Sequence, residues 1–204
     1  MELSEEKEGP QLLSIEENDM RRTILIVGFL IVCIACFAQE SEQVGFEQPV
    51  IVTSAGQSPG ALQLTVVAKM AKIEHTFEKL LDADQFETET YKTLIIVVGA
   101  SGKGLGAAGI EIDAEFQRVL LLAQKAKEYG TRIIVGNLEG ESRRGTSSDE
   151  ILLALAPYAD ALFAKVDANQ DNLFTKISEE RSIPLKLFEK TVDLVVVLNE
   201  FFVK

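Results

Sequence analysis

Gly56-Gln57-Ser58-Pro59-Gly60 matches G-x-S-x-G, the pattern that lifts a serine hydroxyl onto a sharp turn between a strand and a helix. A hydrolase built on Ser58 needs a base to take the hydroxyl proton. The single histidine, His75, falls one crossover later and near the start of a strand, not in a late loop, so it does not suit that role. Lys103 is the alternative partner for Ser58, since a buried lysine can act as a base. Three basic residues, Lys103, Arg143 and Arg144, lie in stretches rich in glycine and hydroxyls, GASGKGLGAAG at 99–109 and GNLEGESRRGTSS at 136–148. Cations beside a backbone that a ligand can approach closely suit a carboxylate, phosphate or sulfate. Ser54, Gln57, Ser58, Ser101, Lys103, Gly104 and Ser147, with Arg143 and Arg144 as clamps, therefore form a candidate site for a small anionic ligand.

Other patterns carry less. Gly104-Leu105-Gly106-Ala107-Ala108-Gly109 matches G-x-G-x-x-G, but a dinucleotide fingerprint starts at the strand end, and here the preceding apolar run ends at Val98. The stretch reads instead as a flexible flap, with the next helix opening near Asp113. Gly102-Lys103 has Val97 where a P-loop needs its first glycine and Gly104 where it needs a hydroxyl. Asp167, Asp171 and Glu139 would have to converge to hold a cation, and DANQDN lacks the glycine and closing glutamate of a calcium loop. A solvated turn explains them better. No cofactor and no metal is expected.

These side chains need a scaffold that gathers them. Short β-branched runs occur at 49–53, 93–98, 132–135, 161–166 and 184–188, with a weaker one at 73–77. Helical spacing fills the intervals at 59–72, 113–129, 148–158, 171–181 and 191–203. The first of these helices sets Leu62, Val66, Val67 and Met70 on one face; the second sets Phe116, Val119, Leu120 and Ala123 together; the third carries Ile151, Leu152 and Leu155. Residues 82–90 read as an acidic turn. Strands alternating with helices predict a parallel sheet. The fold class is α/β, a single doubly wound, Rossmann-like sheet of about six strands with helices on both faces. Right-handed crossovers place all strand C-termini at one edge, which is where such folds bind ligands.

Arg21-Arg22 precede sixteen uncharged residues, 23–38, before polarity returns at Gln39-Glu40. A basic head, an apolar core and a small-residue exit make a signal peptide over 20–38, and the stretch is short for a membrane span. Residues 1–19 are acidic and read as a disordered extension or a mis-called start, with Met20 the better start. Residues 39–48 read as a polar tether and 49–204 as the domain. The protein is then extracytoplasmic, periplasmic or secreted. It would meet a membrane only through an uncleaved signal or a lipid on Cys36. Cys33 and Cys36 are the only cysteines and both lie in the apolar stretch, so the domain holds neither disulfide nor thiolate nucleophile. The chain carries 32 acidic and 20 basic residues; seven and three of these precede Gln39, leaving 25 against 17. That surface disfavours nucleic acid as a partner. The oligomeric state is open.

The segments PVIVTSAGQSP, TLIIVVGASGKGLGAAGIEIDAE, SRRGTSSDE and DNLFTKISEERSIPL resemble a bacterial family of exported Rossmann-like α/β proteins known only as a domain of unknown function. The resemblance spans about residues 48–202. It implies an export signal and one compact domain, and it assigns no residue a catalytic role. The first functional reading is anionic-ligand binding. The alternatives are a serine-dependent hydrolase acting through Ser58, or a non-catalytic protein-interaction module.

Overall fold

Six strands, β1 (Val50–Ala55), β2 (His75–Phe77), β3 (Thr93–Val98), β4 (Arg132–Asn137), β5 (Ala161–Lys165) and β6 (Leu185–Phe188), form one sheet in the order β2-β1-β3-β4-β5-β6. Every pairing is parallel. The computed structural model describes residues 45–202. The extension, the signal peptide, Cys36 and most of the tether lie outside the described residues. All residues of β1 and β3 are buried, as expected of central parallel strands covered on both faces.

Because side chains alternate across a strand, the core divides in two. Ile51, Leu94 and Ile96 pack with Leu122 and Phe174 on one face; Val50, Val52 and Ile95 pack with Leu64, Phe163 and Leu198 on the other. Among the described residues, six α-helices link and flank the strands: α1 (Gly60–Met70), α2 (Gly102–Ala108), α3 (Ile112–Glu128), α4 (Thr146–Leu155), α5 (Leu173–Arg181) and α6 (Leu194–Phe201). Helices α3, α4 and α5 supply the first layer, and α1 and α6 the second. Among the described residues, no helix is long and apolar enough to cross a membrane.

Three sequence expectations change. The tether ends sooner: Phe46 is buried, its N–H bonds Phe201 O at 2.7 Å, and its ring meets Phe201 edge-on at 5.6 Å between centroids. Three of the four stripe residues on α1 point outward, and only Val67 faces the core. Leu62, Val66 and Met70 are each more than half exposed, while Ala61, Leu64, Val67 and Ala68 are buried. This helix is apolar nearly all round, so spacing alone could not select its inner face. The presumed flap at 99–109 is helix α2. Ser101 Oγ accepts from Gly104 N at 3.1 Å as an N-cap, and Gly109 closes the helix in the left-handed conformation, φ 67°.

Candidate functional site

The chain leaves β1 toward β2 on one side and returns to β3 on the other. The crevice between the β1 and β3 C-termini is therefore the topological switch point. A cleft of about 410 Å³ opens there. It is lined by Gln57, Ser58, Ser101, Lys103, Gly104 and Arg143, all six predicted, and by Lys79, which the sequence reading missed.

The β1 turn is built by strain and clamps. Gly56 (φ 101°) and Gln57 (φ 64°) both adopt positive φ. A Cβ on Gly56 would sit 2.6 Å from the Ala100 Cα, so glycine is required where the two loops touch. Gln57 bridges antiparallel to Ala100, and Ser58 N donates to Gly99 O at 3.1 Å. The non-glycine positive φ is costly and is held from below by Glu115. Oε1 of Glu115 accepts from Gly56 N and from Gln57 Nε2, each at 2.8 Å. Arg118 pairs with the same carboxylate through Nε and Nη2, both at 2.8 Å, and also donates to the Leu81 and Ser54 carbonyls. Glu115 is fully buried. Its i,i+3 spacing to Arg118 was the available signal, masked because the neighbouring apolar residues dominate the reading of α3.

The β3 loop reaches across. Ala100 N donates to Ser148 Oγ on α4 at 2.8 Å, a link the sequence reading also missed. Gly104 lies so close to the β1 turn that a Cβ there would stand 2.0 Å from Gln57 O. From the β4 loop, Glu139 ties the third wall. Its Oε2 accepts from Gly60 N at 3.0 Å and its Oε1 from Arg143 Nε at 3.1 Å. Glu139 thus caps α1 and carries Arg143 to the cleft. The terminal nitrogens of Arg143 and the ammonium groups of Lys79 and Lys103 have no carboxylate partner among the described residues.

The remaining predicted residues are placed elsewhere. Ser54 is buried within β1, and its Oγ has no hydrogen-bond partner among the described residues. Ser147 is half-buried in the first turn of α4, outside the cleft. Arg144 is not a free clamp. Its guanidinium bonds Asp149 at 2.6 and 3.1 Å and Asp171 at 3.1 and 2.8 Å, donates to Ala168 O, and lies 5.9 Å from the Phe174 ring centroid. Asp149, then Asp171, hold it above its usual range, and its hydrogen bonds pull Asp171 down to about 2.

Arg144→Ala is thus expected to leave cleft binding intact and to lower stability instead. The expected loss is about 1–2 kcal/mol, discounted because Asp171 is largely exposed. A carboxylate held low by its partner stabilises the fold above its unfolded value and loses that contribution as pH falls. The gap between wild type and variant should therefore narrow as pH drops from about 4 to 2. Urea unfolding at several pH values checks both the size and the direction.

Ser58 is 2 % exposed, and its Oγ lies 3.4 Å from Gly60 N, which donates to it. Pro59, read as the first helical residue, is the N-cap itself. No base is hydrogen-bonded to the Ser58 hydroxyl among the described residues. His75 pairs in register with Val50 at the other end of β1, roughly 16 Å away along the strand at ~3.3 Å per residue. Its Nδ1 lies 2.8 Å from Ile73 O. Asp167 and Asp171 line one hollow beside Arg144, Glu139 is held by Gly60 N and Arg143 Nε, and no group of three metal-ligating side chains occurs among the described residues.

A family model described as domain of unknown function DUF6305 matches residues 47–202. No curated protein matches the chain in sequence. Among solved structures, a GDSL-like lipase from Bacteroides thetaiotaomicron is similar at 14% identity and a TM-score of 0.33, over 75% of this chain and 73% of that one. A likeness this distant says nothing of chemistry.

Proposed function

We propose, for a chain that belongs to the DUF6305 family, that it binds a small anion in the cleft between the β1 and β3 loops. The observation that supports this is the local charge. Among the described residues, Lys79, Lys103 and Arg143 line the cleft and no carboxylate does, although acidic residues outnumber basic ones from Gln39 onward by 25 to 17. A concave wall of one sign concentrates the opposite charge from solution. Gln57, Ser58 and Ser101 supply neutral polar groups to orient the ligand. In this reading Ser58 is a binding hydroxyl. The pattern of residues 21–38 supports an extracytoplasmic location for the same activity.

Thermal unfolding of the full chain against inorganic phosphate, sulfate and short carboxylates tests the reading. A ligand at about 100 times its Kd adds roughly 2.7 kcal/mol. Lys103 is exposed on α2, so Lys103→Ala should fold normally while weakening binding about tenfold, the loss of one charge-assisted hydrogen bond. A panel with no shift for any anion sinks the proposal.

A further inference from the structure

We infer that the ligand is an organic anion with an apolar body, a carboxylate or similar acid head on an aliphatic or aromatic chain. This rests on the anion-binding reading and narrows it.

The cleft holds more than a bare oxyanion would fill, and part of its wall is apolar. At about 410 Å³ it has the volume of roughly a dozen waters at ~30 Å³ each, within the range of pockets that enclose whole organic ligands. Part of its lining is apolar: Pro59 at the N-cap of α1, Leu62 from α1, Phe77 from β2 and Ala107 from α2. Leu62 is 57 % exposed and Phe77 half-buried, so folding leaves both with apolar surface still to cover.

The apolar and cationic residues are also paired along the chain. Phe77 and Lys79 lie two apart at the end of β2; Lys103 and Ala107 lie one turn apart on the same face of α2. Two of the walls therefore carry both a cation and an apolar contact. An inorganic ion would satisfy only the first. A neutral hydrocarbon would satisfy only the second and leave three cations facing it.

The test titrates the full chain with straight-chain carboxylates from acetate to octanoate, with octanol, and with inorganic phosphate. It uses wild type, Leu62→Ala and Lys103→Ala. The substituted side chains are both exposed, so folding should survive. Affinity should rise about two- to fourfold per methylene, up to the fourfold that ~0.8 kcal/mol per buried CH₂ allows, and then level off as the cleft fills. Leu62→Ala should flatten that rise, and Lys103→Ala should weaken every carboxylate by a similar factor. Phosphate and acetate binding as tightly as octanoate would overturn the apolar-body inference and leave the anion site standing. Octanol binding as tightly as octanoate, with Lys103→Ala silent, would overturn both. Octanoate binding that neither substitution changes would mean uptake elsewhere on the chain, and would overturn this inference as well.

Discussion

Replacing Glu115 by alanine is expected to destabilise the protein by about 3–5 kcal/mol, the loss seen when one partner of a buried ion pair is removed. The carboxylate is fully buried and takes four hydrogen bonds, from Gly56 N, Gln57 Nε2 and two nitrogens of Arg118. Without it the Arg118 charge keeps only carbonyl partners at Leu81 and Ser54, and two N–H donors of the β1 turn lose their acceptor. Native domains have only about 5–15 kcal/mol in hand, so this one change would bring the protein near unfolding at room temperature. Glu115→Gln should cost less, because an amide oxygen can still accept from the turn. The double variant Glu115→Leu/Arg118→Met should recover much of the loss, since neither charge is then stranded. Urea denaturation of the three variants separates charge from packing. A cost below about 1 kcal/mol for Glu115→Ala would show that the pair does not hold the turn.

Gly104→Ala is the second large effect, expected at about 2–3 kcal/mol, the upper part of the range for forcing an extra carbon into packed structure. The added Cβ would stand 2.0 Å from Gln57 O, a backbone atom that cannot swing aside. Helix α2 would have to move off the β1 turn, carrying Lys103 with it, so ligand affinity should fall along with stability. Gly106 is the control. It lies in the same helix, and a Cβ there meets nothing within 4 Å. Gly106→Ala should therefore stabilise by about 0.5–1 kcal/mol, the ordinary helix-propensity gain. Opposite signs for two glycines two residues apart would locate the close approach at Gly104. Equal signs would contradict it.

The central strands were readable in the sequence because burial on both faces of a parallel sheet demands unbroken β-branched runs such as TLIIVV. Parallel strands joined by right-handed crossovers also set the edge that carries Gln57, Ser58, Ser101 and Lys103, while the order β2-β1-β3 that brings their loops together was not legible. What stayed hidden depended on contacts that spacing does not encode. Helix α2 was concealed by Gly102, Gly104 and Gly106, which lower helix propensity, although its Ser101 cap and Gly109 stop are both in the sequence. Arg144 looked free because one partner, Asp171, lies 27 residues away and the other, Asp149, lies across the turn into α4. Lys79 looked unremarkable because it follows a three-residue edge strand. Glu115 shows in the sequence only its i,i+3 spacing to Arg118, since nothing local reveals that the β1 turn presses on it.

The proposed anion site rests on three cations, Lys79, Lys103 and Arg143, around the cleft between the β1 and β3 loops. The most direct measurement is calorimetric titration of octanoate into wild type and into the variant Lys79→Ala/Lys103→Ala/Arg143→Ala, at low and high salt. Neutralising the cations should lower affinity a hundredfold or more, on the order of 1.4 kcal/mol for each tenfold step, and should remove most of the salt dependence seen in the wild type. Unchanged affinity in the triple variant, at both salt concentrations, would contradict the proposal.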